Sequence, residues 1–245
     1  MAVPLPALLP RRDHAARIAL ADAARRARPV SGAHERLIEV PGPLGDLIPG
    51  RGLRRGSVVA VDGAPGAGAT AVVLALVAAI TAAGEWAAAV DLDGTLGALA
   101  AAEAGVALDR FAVVRPPGGG SLPDDRWAAA VAVLLDGVSL VVAEVPRKVR
   151  AADARRLVAR AREREVILVP LARGGAWPAE AALRVRAAGG IWPGLDAGNG
   201  ALADRTVRVE VEGRGVAAGT RTGGWAPTQV ARAARAGGWA TTRAG

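Results

Sequence analysis

A glycine-rich segment between two apolar stretches constrains the fold of this 245-residue chain more than any other feature. Residues 63–70 read Gly-Ala-Pro-Gly-Ala-Gly-Ala-Thr. The apolar run 57–61 before them is typical of a short strand, and the apolar run 69–83 after them is long enough for a helix. The sequence therefore predicts a strand, a tight glycine turn and a buried helix in direct succession, which is a building unit of α/β folds.

The spacing of this segment fits the phosphate-binding loop G-x-x-x-x-G-K-[ST] except at one position. Glycines there let successive backbone N–H groups turn inward, and the following helix N-terminus adds positive potential. Thr70 stands where a hydroxyl would bind Mg²⁺, but Ala69 replaces the lysine. We predict a degenerate nucleotide site that binds ATP and Mg²⁺ weakly at best, so no cofactor and no metal centre are expected. Its residues are Gly63, Gly66, Gly68, Ala69 and Thr70.

Composition makes the missing lysine informative. The chain has 30 Arg and a single Lys, Lys148, which is typical of GC-rich codon usage. Such a bias converts Lys to Arg, but it does not explain Ala. Loss of a charged contact to the β- and γ-phosphates costs roughly 1.5–3 kcal/mol, about 10- to 150-fold in affinity. The transition state loses more, because its stabilisation is mostly electrostatic. We therefore expect the chain not to act as an enzyme.

Short apolar strands and helices alternate from the glycine loop to about residue 171, which indicates a parallel sheet covered on both faces. After that point, 183–186 and 206–211 alternate apolar and polar residues, as half-exposed antiparallel strands do. The predicted fold class is α/β: a mostly parallel sheet flanked by helices, with antiparallel strands at the C-terminal side. The further predicted strands are 86–92, 111–114, 138–145 and 166–169, and the further predicted helices are 96–104, 124–135 and 151–164.

Acidic residues end two of these predicted strands. Asp91 and Asp93 follow the second strand, and Glu144 ends the apolar run 140–143. Carboxylates at strand C-termini belong to the ligand site in this architecture. Asp93 could polarise water and Glu144 could hold Mg²⁺ in an intact site, whereas the alternative is that they cap helices or lie in solvent. We treat Asp93 and Glu144 as degenerate catalytic positions.

The net charge of +8 is concentrated in the last third of the chain, residues 151–245, which carries +7. Arg147, Lys148 and Arg150, with the Arg-rich helix 151–164, are dense enough for contacts with DNA phosphates. The same helix carries acidic residues that suit a solvated helix with internal pairing, so both readings stay open. The chain has no Cys and two His, which excludes disulfides, zinc-thiolate sites and histidine-rich metal centres.

Three segments are predicted. Residues 1–34 hold an amphipathic helix at 11–28 and a linker, 35–218 form the α/β core, and 219–245 form a basic, flexible tail. Residues 29–56 are rich in Pro and Gly and are expected to form mostly loop. Trp and Arg dominate interface hot spots. We expect contacts with a protein partner or DNA at Trp225, Arg232, Arg235 and Trp239, besides Arg147, Lys148 and Arg150. No signal peptide or membrane span is recognisable, which favours a cytoplasmic protein without membrane contact.

The order of these motifs resembles the RecA-type recombinase core over about residues 35–215. The segments on which this resemblance rests are LGDLIPGRGLRRGSVVAVDG at 44–63, VDLD at 90–93, GVALDRF at 105–111 and AGNGAL at 197–202. The resemblance places the catalytic acid at Asp93. The chain departs from RecA in lacking the loop lysine, the first DNA-binding loop, where PRKVR stands at 146–150, and the long C-terminal domain.

The C-terminal pattern is closer to the ImuA type of RecA-like accessory proteins from actinobacteria. It consists of GAWP at 175–178, 183–187, 192–195, Gly198, GAL at 200–202, Arg205 and GRG at 213–215. This resemblance implies a non-catalytic or weakly nucleotide-binding adaptor in damage-induced (SOS) error-prone translesion synthesis, a mutagenic form of DNA repair. The implied partners are an ImuB-like Y-family polymerase homologue and, through it, an error-prone C-family DNA polymerase, with RecA, a second copy or DNA left open.

The alternative function is a DNA-dependent ATPase of the RecA type that uses a substitute for the missing lysine. Arg51, Arg54 and Arg55 precede the first strand of the core and are the candidate cations in the chain, while a partner protein could supply one in trans.

Overall fold

The structure is a computed structural model that describes residues 37–116, 122–173, 176–191, 206–214, 216 and 221–225. The described part of the chain contains five α-helices and ten strands. The helices are α1 Gly42–Leu47, α2 Ala69–Ala82, α3 Ala98–Glu103, α4 Asp124–Leu134 and α5 Ala151–Glu163. The strands are β1 Leu37–Glu39, β2 Gly52–Arg54, β3 Val59–Gly63, β4 Ala87–Val90, β5 Phe111–Val114, β6 Leu140–Glu144, β7 Ile167–Arg173, β8 Leu183–Ile191, β9 Thr206–Gly213 and β10 Arg221–Trp225.

Eight strands form one sheet in the order β10-β9-β8-β3-β7-β6-β4-β5. The six strands from β8 to β5 in this order are parallel, and β9 and β10 continue the sheet in antiparallel pairing. Strands β1 and β2 form a separate antiparallel pair. The predicted fold class is therefore confirmed: the chain is α/β, with a mostly parallel sheet and antiparallel strands at its C-terminal side.

Two apolar clusters cover the two faces of the sheet. Helices α1, α2 and α3 pack on one face, and α4 and α5 pack on the other. Helix α2 is apolar all round and almost wholly buried, as expected for a helix inside the core. Helix α5 buries Ala154, Leu157, Val158 and Ala161, which recur at helical spacing on one side. Strands β4 and β6, covered on both faces, are buried at every position.

The parallel arrangement brings the carboxyl ends of β3, β4, β6 and β7 to one edge of the sheet. Gly63 of β3 lies beside Arg173 of β7, and Leu171 of β7 lies beside Glu144 of β6. Because side chains alternate along a strand, Glu144 shares a face with Leu140 and Val142, and Arg173 shares a face with Val169 and Leu171. All four apolar residues belong to the cluster around α2, so both charged side chains lie on the α2 side of this edge.

Three expectations about local structure need correction. Residues 29–56, read as loop, contain β1, α1 and β2 within their described part. Strand β7 continues past Val169 to Arg173. Strand β10 extends the main sheet to Trp225, so the core does not end at residue 218. Among the described residues, no helix is both long enough and apolar enough to span a membrane.

Candidate functional site

The loop between β3 and α2 adopts a conformation that depends on its glycines. Gly66 and Gly68 have φ values of 77° and 109°, in the region that favours glycine. A Cβ on Gly68 would lie 2.8 Å from Cγ1 of Val207, so the loop packs directly on β9. Helix α2 begins at Ala69 with no side-chain cap, which leaves its first N–H groups at the loop. These features produce the strand, loop and helix that the sequence predicts.

A cavity of about 300 Å³ lies against this loop. Its lining includes all five residues predicted for the degenerate nucleotide site: Gly63, Gly66, Gly68, Ala69 and Thr70. The Ala69 side chain is only 6% exposed and belongs to the apolar cluster around α2. The loop therefore places no positive side chain of its own in the cavity.

Among the described residues that line the cavity, the one with a positive side chain is Arg173, at the end of β7, which was not predicted from the sequence. Its Nη2 donates hydrogen bonds to the hydroxyl of Thr70 at 3.2 Å and to the hydroxyl of Thr95 at 2.5 Å. Its Nε lies 3.1 Å from Oε1 of Glu144. One guanidinium thus joins the first turn of α2, the loop after β4 and the end of β6.

Glu144 is buried at the centre of this arrangement, with 6% of its side chain exposed. Its Oε2 accepts hydrogen bonds from the backbone N–H groups of Leu92, at 2.6 Å, and Asp93, at 3.0 Å. Burial is the largest influence on this carboxyl group and raises its pKa, although these two donors and Arg173 act in the opposite direction. A carboxylate in such a place needs a fixed cation, and Arg173 supplies it.

The two aspartates after β4 have different roles. Asp91 is buried and accepts hydrogen bonds from the N–H groups of Thr95 and Leu96, while Arg115 pairs with it at 2.9 Å. Asp91 therefore holds the loop after β4 in place, and it neither caps a helix nor lies in solvent, the two structural alternatives considered for the acids at the strand ends. Asp93 is exposed and lines a second, wider cavity of about 1300 Å³ beside the first.

The wider cavity also holds part of the predicted contact surface. Arg147 and Lys148 line it, and neither forms an ion pair with another described residue. Arg150 instead lines a groove between α4 and α5. From Arg156 in α5 to Arg164 just after it, four arginines form ion pairs: Arg156 with Asp153, Arg160 and Arg164 both with Asp136, and Arg162 with Glu180. Among the described residues of this region, the cations that form no ion pair with a described acid are therefore Arg147 and Lys148 at the cavity, Arg150, and Arg155 near the start of α5.

The substitute cations proposed for an ATPase do not reach the glycine loop. Arg55 pairs with Glu85, which precedes β4 and so lies at the amino ends of the parallel strands. Arg51 pairs with Asp46 of α1. Arg51, Arg54 and Arg55 are absent from the lining of the cavity at the loop. The ATPase hypothesis therefore loses these three candidates, and Arg173 is the positive side chain at that cavity.

Several predicted contact residues lie outside the described part of the chain. Arg232, Arg235 and Trp239 belong to residues 226–245, and the predicted helix 11–28 belongs to residues 1–36. The backbone of Trp225 ends strand β10, but its side chain is outside the description as well.

The residues of the loop do not fit a Mg²⁺ ion. Thr70 and Glu144 carry the hydroxyl and the carboxylate that would hold it, and both oxygens face the guanidinium of Arg173. A divalent cation in this position would have to displace that positive group.

Two comparisons with known proteins found similarity to this chain. A curated protein of Mycobacterium tuberculosis (strain ATCC 25618 / H37Rv), named Uncharacterized protein Rv3395c, is 41% identical over 140 residues. This match covers 56% of the chain and spans 62% of the length of that relative. Residues 46–179, which carry the glycine loop, Asp91, Glu144 and Arg173, match the family described as MT3502 N-terminal domain. The chain belongs to this family.

Proposed function

We propose that this protein is a non-catalytic, RecA-like adaptor of damage-induced (SOS) error-prone translesion DNA synthesis in the cytoplasm. In this role it joins an ImuB-like Y-family polymerase homologue to an error-prone C-family DNA polymerase. The observation that supports a non-catalytic role is the state of the glycine loop, where Ala69 replaces the lysine and Arg173 engages both Thr70 and Glu144. The choice of partners rests on the sequence resemblance alone.

The geometry of the loop argues against efficient phosphoryl transfer. In P-loop enzymes a lysine and a Mg²⁺ ion neutralise the charge that develops on the transferred phosphoryl group. Ala69 stands in place of the lysine. Arg173 contacts the Thr70 hydroxyl and the Glu144 carboxylate, which would otherwise hold Mg²⁺, and its positive charge repels that ion. The position of Arg173 also differs from that of the lysine, because it extends from the end of β7 rather than from the first residue of α2.

The test is recovery of partners from DNA-damaged cells. We expect the tagged full chain to co-purify with the ImuB-like protein and, through it, with the C-family polymerase, both identified by mass spectrometry. Truncation after Trp225 removes the basic tail but keeps β10, and we expect it to lose the ImuB-like protein. A matched control replaces 226–245 by a Gly/Ser segment of equal length. Failure to recover either polymerase with the full chain would contradict the proposal.

ATP turnover by the purified chain separates the proposal from the ATPase alternative. We expect no steady phosphate release, with or without single-stranded DNA. Steady turnover that is abolished in Asp93→Asn would instead establish the ATPase, because Asp93 is the exposed carboxylate that lines the wider cavity.

A further inference from the structure

Arg173 contacts the two side chains that a phosphate loop normally offers to a metal ion. In P-loop enzymes, Mg²⁺ is held by the loop Ser or Thr and by an acid at the end of a neighbouring strand. The corresponding groups here are the Thr70 hydroxyl, 3.2 Å from Nη2 of Arg173, and Oε1 of Glu144, 3.1 Å from its Nε. The guanidinium therefore lies between the same two oxygens that would bind the metal.

The position of Arg173 is fixed by the fold. Its backbone lies beside Gly63, the first residue of the glycine loop, and its side chain points to the α2 side of the sheet because Leu171 does. A third contact, to the Thr95 hydroxyl, anchors it to the loop after β4. Only 23% of the side chain is exposed. The charge is therefore held at the edge of the sheet by three elements.

Glu144 makes this positive charge necessary. Its side chain is buried, and Oε1 receives no hydrogen bond from any described residue. A buried carboxylate without a nearby cation is strongly destabilising. In an intact phosphate loop that cation would be Mg²⁺, which binds and dissociates with the nucleotide, whereas here it is the side chain of Arg173.

We propose that the Arg173 guanidinium permanently occupies the position of the divalent cation, so that this glycine loop excludes Mg²⁺. The edge formed by α2, β6 and the loop after β4 is then held together by the chain itself and does not require a metal–nucleotide complex. This inference deepens the non-catalytic part of the proposed function and rests on it.

The test compares thermal unfolding of the full chain with ADP and EDTA and with ADP and excess magnesium, at matched ionic strength and mildly alkaline pH. For the wild type we expect a magnesium-dependent change in Tm below about 1 °C. Arg173→Met leaves Glu144 without its cation, so its Tm in EDTA should fall by at least about 5 °C. Magnesium at about ten times its dissociation constant should then raise the Tm of this variant by about 3–5 °C.

Two controls connect that response to the site. Adding Glu144→Gln to Arg173→Met removes the carboxylate, and the magnesium response should disappear. Arg214→Met removes an exposed arginine that pairs with Glu180, and it should neither lower the Tm strongly nor create a magnesium response. If Arg173→Met does not fold, Arg173→Gln, which keeps a hydrogen-bond donor without the charge, provides the same comparison.

Two results would overturn the inference: a magnesium-dependent rise in Tm of the wild type that Glu144→Gln removes, or an Arg173 variant that folds and shows no magnesium response. Neither result concerns the polymerase partners. Failure to recover those partners would contradict the adaptor while leaving the position of Arg173 intact, so the two failures are distinguishable.

Discussion

The glycine loop carries no positive side chain of its own, and the positive side chain that lines the cavity beside it among the described residues comes from β7, about a hundred residues later in the sequence. Arg173 and Thr70 are 103 positions apart in sequence, yet their side chains are hydrogen-bonded. The contact exists because β7 lies directly beside β3 in the sheet. Position 69 is Ala, and the cation beside the glycine loop comes from β7, where it contacts Thr70, Thr95 and Glu144.

Burial of Glu144 predicts a pH dependence of stability with a defined sign. Because its pKa is raised in the folded protein, the folded chain binds more protons than the unfolded chain above about pH 4.5. The stabilising contribution is complete below that pH and is lost as the pH rises through the folded pKa. The free energy of unfolding of the wild type minus that of Glu144→Gln should therefore fall with rising pH, by at most about 1.4 kcal/mol per pH unit.

Urea unfolding of both proteins between mildly acidic and neutral pH measures this difference. The pKa of Asp62 is also raised by burial, but this group is present in both proteins and cancels. Trp127→Phe serves as the control, because it removes a hydrogen bond to the Glu144 carbonyl without changing a titratable group. Its effect should not vary with pH. If the free energy of unfolding of the wild type minus that of Glu144→Gln rises with pH, the pKa of Glu144 is not raised in the folded protein and the prediction is wrong.

At the scale of elements, α4 is attached to the carboxyl end of β6 by one buried side chain. Nε1 of Trp127 donates a hydrogen bond to the carbonyl oxygen of Glu144 at 2.8 Å, and the ring is buried in the apolar cluster that α4 and α5 form with one face of the sheet. Trp127→Phe leaves that carbonyl unsatisfied and removes buried volume, so we expect a loss of about 2–4 kcal/mol in the free energy of unfolding.

Trp86→Phe is the matched control for this substitution. Trp86 also lies next to β6, since its carbonyl accepts a hydrogen bond from Ser139, but its side chain is 50% exposed. Trp86→Phe should lower the free energy of unfolding by less than about 0.5 kcal/mol. Chemical unfolding of the two variants measures both values, and equal losses would show that the hydrogen bond and burial of Trp127 do not determine the effect.

The alternation of apolar runs predicted most core elements because both faces of a parallel sheet are buried, which leaves a strong local signal. Strand β5 and the starts of α2, α4 and α5 agree with the prediction to the residue. Strand β7 was predicted too short, at 166–169, and Pro170 directly follows the predicted stretch. Proline has no N–H for the ladder, and pairing with β3 is indeed interrupted between the bridge Val58↔Leu168 and the pair Val61↔Leu171. The strand nevertheless continues, and it thereby brings Arg173 to the site.

Other parts of the fold and site depend on long-range pairing that no local pattern records. The β1–β2 pair and β10 are short and rich in glycine or flanked by it, so they carry little periodicity. The acids at the strand ends could be placed at one edge from sequence, because parallel strands end together. Strand order decides which cations these acids meet, and no local sequence pattern predicts that order. The resulting ion pairs are Asp91 with Arg115 and Glu144 with Arg173.

At the scale of the whole molecule, the positive charge divides into paired and unpaired groups. Most basic residues of α5 form ion pairs, whereas Arg147 and Lys148 at the wider cavity have no acidic partner among the described residues. Paired charges release fewer counterions on binding a polyanion. Any affinity of the described core for DNA should therefore depend on Arg147 and Lys148 rather than on the C-terminal half of α5.

Fluorescence anisotropy with a labelled single-stranded oligonucleotide at several salt concentrations tests this division. Replacing Arg147 and Lys148 by Gln should weaken binding and reduce the slope of log affinity against log salt by about 1.4, because each lost contact with single-stranded DNA accounts for about 0.7. The control replaces Arg162 and Arg214, which both pair with Glu180, by Gln. It changes the net charge by the same amount and should leave the slope nearly unchanged. If the slope falls equally in both double variants, the affinity depends on net charge and not on Arg147 and Lys148. If the wild type does not bind the oligonucleotide in low salt, DNA is not a partner of this chain.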